Sequence, residues 1–373
     1  VGVRLGAEVT SLDLDNNQVA LASDETMAYD RLVIATGTEA RQPDIPGQDL
    51  QGVFQLRNLD DAVRIRSFLE KNGGRRAVII GAGFIALEMA EGFSLRDMAV
   101  TILYRGDLPV RPFGPVIGQQ IKDHLAEKGV DFMSRTKPTA IEQTAGGLAV
   151  KTDQGVFEAD VVLTALGVRP NTALAEAAGL ELGAAGAIRV DEFGKTSRPG
   201  VYAVGDCATS RHRVSKLETW LPLGDVANRQ GRVAGENAAA GDVRRFPGVV
   251  GAQCFKVFDL QVAKAGLDEA AAAQSGFEPM AVQIKGLSRA GSYPGAQPLW
   301  IEMCADKRSG KLLGARGVGA EGVVERINIV ATALFAGLTV RDVGWLDLAY
   351  APPFGGSWSQ IQIAAQKLEG KLG

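Results

Sequence analysis

Gly81-Ala82-Gly83-Phe84-Ile85-Ala86 follows directly on the apolar run Ala77 to Ile80 and opens a helix, Phe84 to Leu95, that carries Glu88 and Met89. Each small residue has a task at such a strand-to-helix turn. Gly81 makes the tight bend, Gly83 lets backbone approach a pyrophosphate, and Ala86 lets the helix pack close to the strand. The first N–H groups of the helix lack intrahelical acceptors, so they offer a phosphate both hydrogen bonds and the positive end of the helix dipole. Gly81, Gly83, Phe84 and Ile85 are therefore expected to hold a nicotinamide dinucleotide. Two glycines at a turn can also serve packing alone, and the flanking pattern decides between these readings.

Working outward, Val100 to Tyr104 reads as a strand, Val116 to Lys128 as a helix and Val130 to Met133 as a strand, completing a βαβαβ half of a doubly wound sheet. The second strand of such a unit usually ends in a carboxylate, about 20 residues after the glycines, that takes the ribose hydroxyls of NAD. Here that position holds Tyr104, followed by Arg105. A guanidinium can bind a 2′-phosphate that a carboxylate would repel, which favours NADPH over NADH or a relaxed choice between them; the plain alternative is a solvated loop arginine. Further β-like runs at Ala140 to Gln143, Leu148 to Lys151 and Ala159 to Ala165 read as a meander on the same domain. A boundary follows near Gly167 to Asn171.

Before the turn, Val9 to Leu14, Gln18 to Leu21 and the apolar run Arg31 to Ala35 are β-like, and Asp60 to Lys71 has helical spacing. After it come the strand Val201 to Val204 and a helix from about Asp225 to Ala240. Two of these strands end in glycine with a polar neighbour, Thr36-Gly37 and Gly205-Asp206, at the sheet edge where ligands of doubly wound folds collect. An aspartate there can accept from sugar hydroxyls, or simply cap a turn. Pro247, Gly248 and Gly251 open a last region, strand-like at Phe255 to Phe258 and Pro298 to Met303 and helical from Gly322 to Phe335.

The bulk properties narrow the function. With 373 residues, 46% hydrophobic and 22% charged, the chain suits two or three domains. A net charge of −3 without a basic run argues against nucleic acid. The longest apolar stretches, Val161 to Val168 and Ile327 to Leu338, fall short of the roughly 20 residues of a membrane span. Cys207, Cys254 and Cys304 form no CxxC pair and no zinc spacing, read as packing residues, and suit a reducing cytoplasm. His124 and His212 read as surface residues, so no metal site is expected. The start, Val-Gly-Val-Arg-Leu, reads as the middle of a protein.

Taken in order, Leu32-Val33-Ile34-Ala35-Thr36-Gly37, the Gly81 turn, Ala165-Leu166-Gly167-Val168-Arg169-Pro170-Asn171 and Val201-Tyr202-Ala203-Val204-Gly205-Asp206-Cys207-Ala208 resemble the pyridine nucleotide-disulfide oxidoreductase family of flavoproteins. The resemblance implies an α/β fold of two interleaved doubly wound, Rossmann-like domains, the first incomplete, with a C-terminal α+β dimerisation domain. It assigns residues 1–50 and 169–245 to FAD binding, 51–168 to NAD(P) and 246–373 to dimerisation. It also implies that Thr36, Gly37, Gly205 and Asp206 contact FAD, that Gly167 lies against the nicotinamide nucleotide, and that the helix at Ala227 points its positive end at the flavin.

Phe255-Lys256-Val257-Phe258-Asp259 and Leu348-Ala349-Tyr350-Ala351-Pro352-Pro353-Phe354 look like the branch of coenzyme A-disulfide reductases, NADH oxidases and persulfide reductases. There one subunit completes its partner's active site, which gives Tyr350 a catalytic role in a homodimer; the alternative is a tyrosine anchoring a Pro-Pro turn. The family pattern has a tyrosine where this chain has Ser292. Its FAD-binding glycine turn and redox cysteine have no match, as in an N-terminally truncated fragment. The implied function is transfer of hydride from NAD(P)H to FAD and of electrons onward to a disulfide, a persulfide or oxygen. The alternatives are a redox-inactive nucleotide-binding dimer and a ferredoxin- or rubredoxin-type reductase.

Overall fold

The computed structural model describes residues 2–372. Packing divides the chain into two compact units that alternate along the sequence: Val1–Glu39 with Val168–Val250, and Ala40–Gly167 with Gly251–Gly373.

The second unit contains a five-stranded sheet in the order Val53–Phe54, Val161–Thr164, Arg76–Ile80, Ala99–Leu103, Asp131–Met133. All its pairings are parallel, with Ala77 opposite Val100 and Ile79 opposite Ile102. Strands covered on both faces need apolar residues throughout, and Ile79, Ile102 and Leu163 are fully buried. Helices Phe84–Ser94 and Pro115–Glu127 complete the βαβαβ unit within a residue or so of expectation.

The run Ala159 to Ala165 behaves differently from expectation. The meander consists of Pro138–Thr144, Gly147–Thr152 and Gly155–Ala159, whereas Val161–Thr164 is an inner strand of the parallel sheet. Asp160 separates them. Its carboxylate accepts the amides of Arg75 and Arg76 and pairs with the Arg76 guanidinium at 2.7 Å, so the chain turns there.

The same unit holds a five-stranded antiparallel sheet, in the order Gln253–Val257, Leu260–Gly266, Leu312–Gly319, Pro298–Asp306, Pro279–Leu287. Helices Val323–Ala336 and Gln360–Leu372 pack on it. Phe255 of this sheet stacks on Phe84, the first residue of the nucleotide-type helix, with ring centroids 4.8 Å apart. Phe113 meets both rings edge-on. Glu91 of that helix accepts the Phe258 amide at 2.8 Å.

In the first unit, Val9–Asp13, Gln18–Leu21 and Thr26–Ala28 form an antiparallel meander, and Leu32–Ile34 pairs in parallel with Val201–Ala203. Ile34, Ile188, Val201, Ala203 and Cys207 share its core. The run Arg31 to Ala35 is less buried than its composition suggests: Val33 is 39% exposed, because the strand pairs on one side only among the described residues.

Candidate functional site

In the second unit the expected nicotinamide residues converge on the carboxyl edge of the parallel sheet. Gly81 has φ 121°, a value that only glycine adopts readily. Its N–H donates to Leu103 O at 3.0 Å, and the neighbouring strand end is tied in by Ala165 N–H to Ile80 O at 2.8 Å. Gly83 is the N-cap of helix Phe84–Ser94, which has no side-chain cap, and a Cβ at Gly83 would find no atom within 4 Å. An uncapped helix start beneath open space is what a phosphate requires. Phe84 and Ile85 offer backbone N–H groups there, since the Phe84 ring is taken up by Phe255 and Phe113. Gly167, at φ 85°, leaves similar open space at the adjoining strand end, and its carbonyl accepts the Arg41 amide.

Tyr104 packs its ring near Phe132, and Gly106 lies against that ring so closely that a Cβ would come within 2.6 Å of it. Arg105 is exposed, and its guanidinium has no hydrogen bond or ion pair among the described residues. Nearby Asp107 is engaged by Arg135.

In the first unit the register that places Ala203 opposite Ile34 brings Thr36-Gly37 and Gly205-Asp206 to one sheet edge. Thr36 donates through its hydroxyl to Asn171 O at 2.6 Å, and Gly37 O accepts the Asn171 amide. Gly205, at φ 75°, passes so close to helix Gly224–Ala240 that a Cβ would lie 3.3 Å from the Ala227 methyl. That helix also starts without a side-chain cap. Buried Gln230 holds the turn: its carbonyl accepts the Gly205 amide at 2.8 Å, and its amide donates to Thr209 O and Ser210 Oγ. Trp220 Nε1 donates to Asp206 O.

The sequence pattern of the pyridine nucleotide-disulphide oxidoreductases matches residues 1–231, and that of their dimerisation domain matches residues 252–361. The chain belongs to this family. As a member it is an NAD(P)H-dependent flavoprotein oxidoreductase. It is 36% identical to the CoA-dependent NAD(P)H sulfur oxidoreductase of Pyrococcus furiosus over 99% of this chain and 83% of that protein. Among solved structures, the NAD-dependent persulfide reductase from A. fulgidus superimposes with a TM-score of 0.92 at 37% identity, covering 97% of this chain and 68% of that one. An engineered water-forming NADPH oxidase bound to NADPH, a five-substitution mutant of the Lactobacillus brevis NADH oxidase, superimposes with a TM-score of 0.91 at 26% identity, covering 98% and 82%.

In the family's dimerisation segment Tyr350 is 51% exposed and lies in neither strand-edge cluster. The loop carrying Ser292 and Tyr293 is fastened to the Tyr350 segment by the Ala290 amide, which donates to Pro352 O at 3.0 Å.

Two expectations about single residues need correction. His212 is buried, not on the surface, and its Nδ1 accepts the Ser215 amide, so the ring closes a turn. Of the cysteines expected to pack, Cys207 and Cys304 do, but Cys254 is exposed because strand alternation points it away from Phe255 and the core. Burial, reinforced by Glu269, Glu302 and Asp268, pushes the Cys304 thiol up to about 12. A thiol reagent at pH 8 should therefore modify Cys254 rapidly and reach Cys207 and Cys304 only after denaturation. Fast labelling of a second thiol in the native protein would contradict this burial.

The sequence reading passes over two residues of these clusters, Gln230 and the exposed Arg111. Gln230 lies in the helix segment that opens at Ala227, but no sequence signal gives its side chain a role, and only the fold brings Gln230 to Gly205 or the Arg111 segment to the glycine turn.

Proposed function

We propose that this enzyme takes reducing equivalents from NADPH in preference to NADH and delivers them, as a homodimer, to a sulfur–sulfur bond in a small disulfide or persulfide. Residues 51–168 would bind the nicotinamide nucleotide, 1–50 and 169–245 FAD, and 246–373 the partner subunit. Bound together, the nicotinamide supplies hydride and the flavin relays the electron pair to the acceptor.

The chain's own residues have distinct tasks in this reading. Gly81, Gly83 and the amides of Phe84 and Ile85 receive the pyrophosphate, and Gly167 admits the nicotinamide end. Thr36, Gly37 and Asp206 take FAD, Asp206 by accepting from its sugar-like hydroxyls, while the uncapped helix start near Ala227 offers a positive potential to the flavin. Tyr350 donates a proton at the partner's reacting centre. The exposed Trp345, Tyr350, Phe354 and Trp358 support an apolar subunit interface in the dimerisation segment. No helix of the described residues is long and apolar enough to cross a membrane, and the exposed thiol of Cys254 suits a reducing cytoplasm.

The NADPH preference rests on Arg105. The substitutions in the engineered NADPH oxidase replace a glycine by alanine and then, 18, 19, 20 and 25 residues further on, Asp by Ala, Ala by Arg, Met by Ser and Pro by Arg. Counted from Ala86, the same intervals fall on Tyr104, Arg105, Gly106 and Arg111. This chain thus has the alanine, lacks the acid, and has both arginines. The sulfur acceptor is favoured by relatives above 35% identity that are named for sulfur or persulfide substrates.

Anaerobic addition of NADPH or NADH to the yellow holoprotein tests the proposal through loss of flavin absorbance. NADPH should reduce the flavin with the higher kcat/KM. Arg105→Ala should lower that value by about 10- to 100-fold, the worth of a charge-assisted hydrogen bond of about 1.5–3 kcal/mol, and leave NADH within about threefold. Equal reduction by both nucleotides, unchanged in the variant, would refute the preference. Reoxidation by oxygen but not by disulfide or persulfide would refute the acceptor.

A further inference from the structure

The helix that starts after Gly83 is held on two faces. Ala86, Leu87, Ala90 and Phe93 are buried and share a core with Ile79 and Ile102 of the parallel sheet. Phe84 and Glu91, seven residues and two turns apart, lie together on an adjoining face. Both are met by one hairpin of the dimerisation segment, formed by Gln253–Val257 and Leu260–Gly266.

At the near end Phe255 stacks on Phe84, their rings inclined by 24°, and meets Phe113 edge-on with centroids 5.5 Å apart. Phe113 arrives on a segment that is itself tied to the glycine turn, since Val110 N–H donates to Ala82 O at 2.9 Å. Phe255 and Phe113 are buried, so the Phe84 ring is gripped from two sides. The backbone amide of Phe84, the first of the helix, shares that fixed position.

At the far end Glu91 Oε2 accepts the Phe258 amide at 2.8 Å, and Glu91 Oε1 lies 3.6 Å from Lys256 Nζ. Phe258 sits in the turn of the hairpin at φ 48°, a left-handed conformation that glycine would adopt without strain. Contacts from outside the hairpin hold it there. Lys128, at the end of helix Pro115–Glu127, lies 5.9 Å from the Phe258 ring centroid and pairs with Asp259, and the His124 ring meets Phe258 edge-on. Strain of this kind persists where the surroundings enforce it. The hairpin tip is thus fastened to both helices of the βαβαβ unit.

A phosphate held by helix amides depends on their aim, because a hydrogen bond weakens steeply as it bends. We infer that the hairpin is a splint for the nucleotide helix, and that Phe255, acting through Phe84, is a positioning residue for the pyrophosphate of the nicotinamide nucleotide. The inference rests on the reading of the Gly81 turn as the nucleotide site. It gives the dimerisation segment a task in nucleotide binding besides subunit contact.

Calorimetric titration of the holoprotein with NADP+ and with adenosine 2′-monophosphate, which has no pyrophosphate, tests the splint. Phe255→Leu should lower NADP+ affinity by about three- to tenfold, the worth of a lost aromatic pair, and leave the monophosphate within about twofold. In anaerobic flavin reduction the half-saturating NADPH concentration should rise by the same factor, while the limiting rate stays within about twofold. Val318→Ala opens the same core two strands away in the sheet and should leave NADP+ affinity within about twofold. Glu91→Ala releases the far end of the helix at a half-buried position that the fold should tolerate, and it should weaken NADP+ by about threefold. If Val318→Ala weakens NADP+ as much as Phe255→Leu does, or if Phe255→Leu weakens both ligands equally, the effect is general loosening and the splint is wrong. Unchanged NADP+ affinity in Phe255→Leu or in Glu91→Ala overturns the splint alone. A wild type that binds neither ligand overturns the nucleotide site and the splint with it.

Discussion

Gly81→Ala should abolish NADP+ binding and destabilise the protein by about 2–4 kcal/mol, the joint cost of a forbidden backbone conformation and a steric overlap. The methyl would lie 2.2 Å from Ala165 O and 2.8 Å from its carbonyl carbon. Neither side can yield cheaply. Gly81 N–H is bonded to Leu103 O, Ala165 N–H is bonded to Ile80 O, and both strands are inner strands of the parallel sheet. At φ 121° an alanine is strained even without the collision.

Gly83→Ala is the informative companion. Its backbone, at φ −88° and ψ −171°, is extended and suits any residue, and the added methyl meets nothing within 4 Å. Stability should change by less than about 1 kcal/mol, while the methyl fills the space proposed for the pyrophosphate and NADP+ affinity falls by at least about tenfold, or about 1.4 kcal/mol. Urea denaturation and nucleotide titration of the two variants separate folding from binding. Unimpaired NADP+ binding by Gly83→Ala would place the pyrophosphate elsewhere.

The contrast between these two glycines also shows what a sequence can and cannot reveal. The βαβαβ core around Gly81 was legible because strands buried on both faces are continuous apolar runs and the turn between strand and helix admits few residues. The same logic failed at Ala159 to Ala165, where one apolar run serves two sheets and the break at Asp160 depends on distant Arg75 and Arg76. Strand Leu312–Gly319 was invisible for a different reason. Gly314, Gly317 and Gly319 dilute its β pattern, yet at Gly314 the missing side chain is required, since a Cβ would lie 2.3 Å from the backbone oxygen of Leu267. Arg111 and Gln230 carry no periodicity at all, and their meaning comes from where the fold takes the chain.

Arg326→Ala should cost about 2–5 kcal/mol, the joint cost of a cavity and of buried carbonyls left without their charged donor. Arg326 lies in the largely apolar helix Val323–Ala336 and is only 7% exposed. Its guanidinium donates to Gly322 O at 2.7 Å, Ser288 O at 3.0 Å, Gln360 Oε1 at 3.2 Å and Phe354 O at 3.4 Å. Burial pulls its pKa down, with Glu325 and Glu321 opposing the shift. An arginine starts so far above neutrality that the group stays charged at pH 7, so the destabilisation should be nearly flat between pH 6 and 8.

Three of the four acceptors, on Ser288, Phe354 and Gln360, lie far from Arg326 in sequence, and two of them flank the link from Ala290 to Pro352. Losing the guanidinium should therefore loosen the loop bearing Tyr293 and the segment bearing Tyr350 together. Arg326→Met distinguishes the causes. It restores most of the volume without any donor, so it should retain most of the loss if unsatisfied carbonyls dominate and recover most of it if packing does. Sedimentation across a range of protein concentrations should show Arg326→Ala dissociating more readily than the wild type, since the segment it frees carries Tyr350 and Phe354 of the proposed interface. A variant that keeps both the urea midpoint and the association of the wild type would show that this buried cation holds neither the fold nor the Tyr350 segment in place.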